Sequence, residues 1–125
     1  MRLSFATAAL LLVPAAASAQ TMPLHSFVER GTKLEKKGAM ALFSRGEIRA
    51  LQTEMKGAAA AVRAERLAAE KAGRKPAYCP PKEAQPMGAR TFLAELRKVS
   101  ATQARSATVT DGLRAMLVKR YPCPA

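Results

Sequence analysis

The chain has 125 residues, a net charge of +12, 49% hydrophobic residues, two cysteines and one histidine. This length supports one small domain and excludes two independent hydrophobic cores. The single histidine argues against a metal centre, which takes three or four His, Cys, Asp or Glu ligands. The positive charge favours an anionic partner, such as an acidic protein, lipid headgroups, lipopolysaccharide or nucleic acid, and does not choose among them.

The beginning of the chain has the pattern of a secretory signal peptide. Arg2 gives a positive start, residues 3–13 are apolar, and a triplet of small residues ends at Ala19. The apolar run is about half the length that a membrane-spanning helix needs, roughly 20 residues. We therefore expect residues 1–19 to be cleaved off as a signal peptide and residues 20–125 to form a single helical domain in the periplasm.

Two helices are predicted in the first half of this domain. The first starts at Pro23, has apolar residues three and four positions apart, and stops at Gly38. The second starts with a predicted capping box, in which Ser44 and Glu47 each bond the backbone of the other. Its apolar residues lie on one face, and it ends near Gly73.

Two more helices are predicted in the second half, after a connection that is too rich in proline to be helical. This connection, residues 74–88, holds four prolines. The third helix covers residues 89–99, a polar turn covers 100–105, and the fourth helix covers 106–121. Strand signals are weak throughout, so the predicted fold class is all-α, a small bundle of about four helices. The predicted core is Phe27, Val28, Leu34, Leu42, Phe43, Ile48, Leu51, Met55, Val62, Phe92, Leu96, Val99, Leu113 and Leu117.

The two cysteines, Cys79 and Cys123, are predicted to form a disulfide. An even number of cysteines in an exported small protein favours a disulfide. Two helices joined by a short turn pack as an antiparallel hairpin, which places the entrance and exit of the hairpin at the same end. The disulfide would then hold a carboxyl terminus that otherwise frays. A redox-active or metal-binding pair of cysteines would need a C-x-x-C spacing or nearby histidines, and the sequence has neither.

The sequence gives little support to an enzyme, and we expect no catalytic, metal-binding or cofactor-binding residues. It has no G-x-S-x-G motif and no glycine-rich phosphate loop. The lone histidine, His25, is interpreted as a surface or helix-cap residue. The carboxylates are interpreted as members of surface ion pairs. The predicted pairs are Glu65 with Lys71 or Arg66, Glu95 with Lys98, and Asp111 with Arg114.

A basic run extends from the end of the second helix into the proline-rich connection. It is either a contact surface for an acidic partner or a solvated face without a partner. Nucleic acid is not expected as the partner, because only Tyr78 is available for base stacking and the protein is predicted to be exported. The sequence gives no signal for an oligomeric state. The basic run consists of Arg63, Arg66, Lys71, Arg74, Lys75 and Lys82.

The segment from Tyr78 to Pro124 resembles the Tai-type immunity proteins of type VI secretion systems. It has an aromatic-Cys-Pro start, "YCPP", then a helix, a polar turn and a second helix, and it closes on "YPCP". The resemblance implies a small helical periplasmic protein with a disulfide between the residues matching Cys79 and Cys123. It also implies an activity, which is binding and blocking a peptidoglycan amidase delivered by a neighbouring cell. The family commonly has a second cysteine pair nearer the amino terminus, and residues 20–78 contain no cysteine.

Two functional hypotheses follow, and both are binding functions. The first is an immunity-like protein that inhibits a cell-wall-degrading toxin, a secreted amidase, by direct contact. The second is a basic, envelope-associated structural protein that contacts anionic lipid or lipopolysaccharide. Their surfaces would differ, since the first needs a partner protein and the second needs only an anionic surface.

Overall fold

The computed structural model describes residues 22–125, which form four α-helices and one 3₁₀ segment. The predicted all-α bundle is confirmed, while the predicted signal peptide lies outside the described residues. Helix α2 packs mainly against α4, and α1 packs mainly against α3. The elements are α1 (Leu24–Lys37), the 3₁₀ segment (Gly38–Phe43), α2 (Arg45–Lys71), α3 (Ala89–Ser100) and α4 (Val109–Arg120).

Helix α1 begins and ends where the sequence predicts. Pro23 precedes its first residue, and Gly38 ends the helix with a φ of 55°, a left-handed conformation that glycine adopts without strain. Gly31, in the middle of the helix, lies against Leu93 of α3. A Cβ atom at Gly31 would be only 2.9 Å from Leu93 Cδ1, so the glycine allows α1 and α3 to approach closely.

The predicted capping box at the start of α2 is wrong. The Ser44 side chain makes no capping bond, and its hydroxyl instead accepts a hydrogen bond from Lys37 Nζ at 2.9 Å. The Glu47 carboxylate accepts two hydrogen bonds from the Arg30 guanidinium, at 2.5 and 2.7 Å. A two-point bond to a charged guanidinium is stronger than a bond to one backbone amide, so Glu47 joins α1 to α2 instead of capping its own helix.

A capping box that the sequence analysis missed starts α4. The Thr108 side chain accepts from the Asp111 amide at 3.2 Å, and Asp111 Oδ2 accepts from the Thr108 amide at 2.9 Å. Asp111 Oδ1 also accepts from Arg114 Nη1 at 3.0 Å. The bond from the Thr108 amide holds the pKa of Asp111 below its ordinary value, and the bond from Arg114 makes a smaller contribution in the same direction.

This capping box makes the stability of the protein depend on pH. Because the pKa of Asp111 in the folded state lies below its ordinary value of 3.8, its stabilisation is complete above about pH 5 and is lost progressively as the pH falls through the unfolded and then the folded pKa. Asp111→Asn should lower the free energy of unfolding by about 0.5 kcal/mol at neutral pH and flatten its decline below pH 4. Urea unfolding at several pH values measures this, with Glu83→Gln, an exposed carboxylate, as the control. An unchanged acid decline in Asp111→Asn would contradict the prediction.

The core lies where α2, α3 and α4 meet the start of α1. Leu24, Val62, Leu96 and Val109 have the largest fully buried side chains. The prediction that Leu42 and Phe43 belong to the core is wrong, because their side chains are 71% and 82% exposed. They lie in the 3₁₀ segment, which turns outward after α1. Other buried residues that the predicted core lacked are Ala58, Tyr78, Leu93, Ala107 and Met116.

The first described residues are fastened to two helices. The Leu24 amide donates to the Ala107 carbonyl at 2.9 Å, and the Val109 amide donates to the Met22 carbonyl at 3.0 Å. The Met22 amide donates to Glu54 Oε1 at 2.9 Å, and Glu54 is a buried residue of α2. Backbone and side-chain bonds together therefore hold residues 22–24 against the start of α4 and the middle of α2.

The predicted disulfide between Cys79 and Cys123 is present, with the two Cα atoms 4.9 Å apart. The Cys79 amide also donates to the Tyr121 carbonyl at 2.8 Å. The proline-rich connection is thereby joined to the end of α4, as the hairpin argument predicts. A disulfide is compatible with an oxidising compartment. In the described part of the chain, no helix is long and apolar enough to cross a membrane.

Candidate binding surfaces

The structure gives the lone histidine a partner within the fold. His25 is exposed on α1, and its Nδ1 lies 3.0 Å from the hydroxyl of Ser100, a buried residue at the end of α3. Residues 22–125 contain no group of three or more His, Cys, Asp or Glu placed to hold a metal ion. His25 therefore contributes a contact between α1 and α3.

Two of the three predicted ion pairs are confirmed, and one has a different partner. Lys98 bonds Glu95 at 2.9 Å, and Arg114 bonds Asp111 at 3.0 Å. Glu65 pairs with Arg114 of α4, at 2.7 and 2.8 Å, instead of with Lys71 or Arg66. This pair connects α2 to α4, and the bond from Arg114 holds the pKa of Glu65 below its ordinary value. The sequence could not predict it, since 49 residues separate the partners.

Arg66, a member of the predicted basic run, has a structural role. Its Nη1 donates to Glu70 Oε1 at 3.0 Å, and its guanidinium carbon lies 5.7 Å from the centre of the Tyr78 ring. Tyr78 is itself buried, so Arg66 helps hold the proline-rich connection against α2. The other members of the run are exposed: Arg63, Lys71, Arg74, Lys75 and Lys82.

Part of the basic run surrounds a cavity of about 270 Å³, which we call the cationic notch. Arg74 and Lys75 line it, directly after Gly73 turns the chain out of α2 with a φ of 69°. Arg66 lines it as well, and the Nε atom of Arg66 is buried without a hydrogen-bond acceptor among residues 22–125. The three cations of the basic run that line this cavity favour an anionic group in it. The remaining lining residues are Val62, Glu65, Ala69, Ala77, Tyr78 and Arg114.

A second surface, which the sequence analysis missed, lies at the other end of α2. Met40, Leu42 and Phe43 of the 3₁₀ segment are 63%, 71% and 82% exposed, and we call them the apolar tip. The signal was present in the sequence, because GAMALF is a run of six residues without a polar side chain between two helices. The prediction that Leu42 and Phe43 are buried rests on this apolar character. The exposed basic residues on either side of the tip are Lys36, Lys37, Arg45 and Arg49.

The 3₁₀ segment borders an apolar groove of about 410 Å³ between α1, α2 and α3. Gly38 and Ala41 belong to its lining, while the three side chains of the apolar tip do not. The tip therefore projects away from the groove and adds to the outer surface of the protein. The larger apolar side chains that line the groove are Phe27, Leu34, Leu51, Met55, Phe92 and Leu93.

Helix α2 separates the two surfaces. The apolar tip lies just before its first residue, Arg45, and the cationic notch is lined by residues near its carboxyl end, from Val62 onward, together with Arg74 and Lys75 after it. A helix of 27 residues is about 40 Å long at 1.5 Å per residue. One end of the molecule is therefore apolar with basic residues around it, and the other end is basic and concave.

Comparison of the chain with protein-family models, with curated proteins and with solved structures found no match.

Proposed function

We propose that the protein is a periplasmic inhibitor that binds a cell-wall-degrading enzyme through the cationic notch. The observation that carries this proposal is that three basic side chains, Arg66, Arg74 and Lys75, line one cavity. The resemblance of the Tyr78–Pro124 segment to Tai-type immunity proteins suggests the class of enzyme, a peptidoglycan amidase. Tyr78, at the start of that segment, forms part of the notch.

The notch suits a carboxylate from an acidic loop of the enzyme. A carboxylate in the cavity can pair with the charges of Arg66, Arg74 and Lys75. The exposed basic residues around the notch would raise the rate at which an acidic surface approaches it. Binding at this concave end would inhibit the enzyme by covering its active site, without any chemical step.

The notch is also held in shape before a partner arrives. Arg66 is fixed between Glu70 and the Tyr78 ring, and the residue after Tyr78 forms the disulfide with Cys123. A surface that is ordered in advance loses less conformational entropy on binding, which favours tight association. The same disulfide that stabilises the fold therefore also supports the proposed binding site.

The proposal predicts that reversing two charges at the notch weakens binding and inhibition. Tagged wild-type protein should capture a cell-wall hydrolase from periplasmic extracts of its own and competing cells, and should block that enzyme's release of peptidoglycan fragments. Arg74→Glu/Lys75→Glu should bind the same enzyme at least about tenfold more weakly. Binding is measured by calorimetry and inhibition by fragment release.

The matched control is Lys56→Glu/Arg105→Glu, which makes the same change in net charge at exposed positions outside the notch. This control should bind and inhibit like the wild type. If no hydrolase is captured, or if the captured enzyme remains fully active in the complex, the inhibitor proposal is wrong. If both double variants lose binding equally, the contact depends on net charge and does not involve the notch.

A further inference from the structure

The apolar tip has no role in the proposed inhibition, and its chemistry suits a different partner. We propose that the tip docks the protein on an anionic phospholipid bilayer. Leu42 and Phe43 would insert into the boundary between headgroups and acyl chains, and the flanking basic residues would bind headgroup phosphates. This inference is independent of the inhibitor proposal, because the two surfaces lie at opposite ends of α2.

The first argument is the concentration of exposed apolar side chains. Five large apolar side chains are exposed in residues 22–125, and three of them lie in the six-residue 3₁₀ segment. Phe43, at 82% exposed, is the most exposed of the five. Isolated apolar side chains on a surface need no explanation, but a contiguous group at a projecting point marks an interaction site.

The second argument is the charge around the tip. Lys36 and Lys37 end α1 and Arg45 and Arg49 lie in the first turns of α2, so cations flank the tip in the chain on both sides. The nearby carboxylates are already paired: Glu35 bonds Arg97 at 2.8 Å, and Glu47 bonds Arg30. The four flanking cations therefore keep their attraction for an anionic surface.

The third argument is the shape of the surface. The tip side chains project from the 3₁₀ segment and lie outside the lining of the adjacent groove. A projecting apolar group can insert into the interface of a fluid bilayer, which deforms around it and needs no preformed pocket. Apolar residues combined with lysine and arginine are the combination that peripheral proteins use at anionic membranes. The observations therefore favour a bilayer over a rigid protein partner.

The chain contains no tryptophan, which permits a direct test. Phe43→Trp introduces a single indole at the tip, and Val118→Trp introduces one at a partly exposed apolar position on α4 as a control. With vesicles of phosphatidylglycerol and phosphatidylethanolamine, we expect the emission of the Phe43→Trp protein to shift to the blue. Brominated acyl chains should quench it. The Val118→Trp protein should show neither the blue shift nor the quenching. With vesicles of pure phosphatidylcholine, neither protein should show these changes.

Vesicle sedimentation then measures the contribution of each part of the surface. Leu42→Ser/Phe43→Ser should bind anionic vesicles about a hundredfold more weakly, and Leu67→Ser/Val118→Ser should bind like the wild type. Lys36→Gln/Arg49→Gln should lose about thirtyfold, and Lys56→Gln/Arg105→Gln should lose much less. Because the altered tip residues are exposed, the Leu42→Ser/Phe43→Ser and Lys36→Gln/Arg49→Gln variants should retain the wild-type melting temperature.

Three outcomes would overturn the inference. The introduced indole at position 43 could remain in water in the presence of anionic vesicles. The tip variants and their matched control variants could bind vesicles equally, which would show that binding depends on net charge alone. The protein could bind lipopolysaccharide or a soluble protein through the tip and not bind phospholipid vesicles, which would assign the surface to another class of partner.

Discussion

Replacing both Cys79 and Cys123 by serine should lower the free energy of unfolding by about 3 to 4 kcal/mol. The disulfide joins residues that are 44 positions apart, and the closed loop restricts the unfolded chain. Chain-entropy arithmetic gives about 4 kcal/mol for a loop of this length, and residual structure in the unfolded state reduces it. Small domains are stable by roughly 5 to 15 kcal/mol, so the loss is a large part of the total.

Urea denaturation with and without a reducing agent measures this contribution. The wild-type protein should lose stability on reduction, and the double serine variant should unfold at the same urea concentration under both conditions. Cys123→Ser alone should remain folded, because the bond between the Cys79 amide and the Tyr121 carbonyl and the core contacts do not depend on sulfur. A melting temperature unaffected by reduction would mean that the disulfide contributes nothing to stability.

Gly112→Ala should destabilise the protein by about 1 to 3 kcal/mol, although alanine favours a helix by about 1 kcal/mol over glycine. Gly112 lies in α4 and faces Leu24, which is fully buried. A Cβ atom at Gly112 would lie 2.6 Å from Leu24 Cδ1 and 2.7 Å from Cδ2. Because Leu24 is enclosed on all sides, its side chain cannot move away without disturbing the core.

The matched control is Gly46→Ala, a helical glycine at which an added Cβ meets no atom within 4 Å. This substitution should be neutral or slightly stabilising in the same thermal and urea unfolding experiments. A double-mutant cycle identifies the contact, because Gly112→Ala should cost less in a Leu24→Ala background than in the wild type. Equal costs in both backgrounds would show that Leu24 is not the source of the destabilisation.

The sequence predicted those parts of the fold that depend on neighbouring residues. The spacing of apolar residues located all four helices, and Gly38 and Gly73 marked the ends of two of them because both adopt a left-handed backbone. The capping box was misplaced because Arg30, from another helix, binds Glu47. The partner of Glu65 was misassigned for the same reason, since Arg114 is distant in the chain. Both errors came from contacts between helices, which local patterns do not encode.

The candidate surfaces were predicted only in part. The basic run was predicted, and five of its six members are exposed, but the notch depends on the packing of Arg66 against Tyr78. The apolar tip was missed because hydrophobic composition does not say on which side of a short segment the core lies. Leu42 and Phe43 follow Gly38, where a positive φ ends α1 and changes the direction of the chain. Their side chains are exposed, although an apolar run usually indicates burial.

The disulfide also determines how the protein responds to mechanical force. It divides the described chain into an arm, residues 22–78, and a closed loop from Cys79 to Cys123. A force that pulls on the two ends can unravel and extend only the arm, by at most about 200 Å at roughly 3.5 Å per residue. The loop, which contains α3 and α4, is shielded from that tension even after its helices have melted, so little more than half of residues 22–125 can be extended.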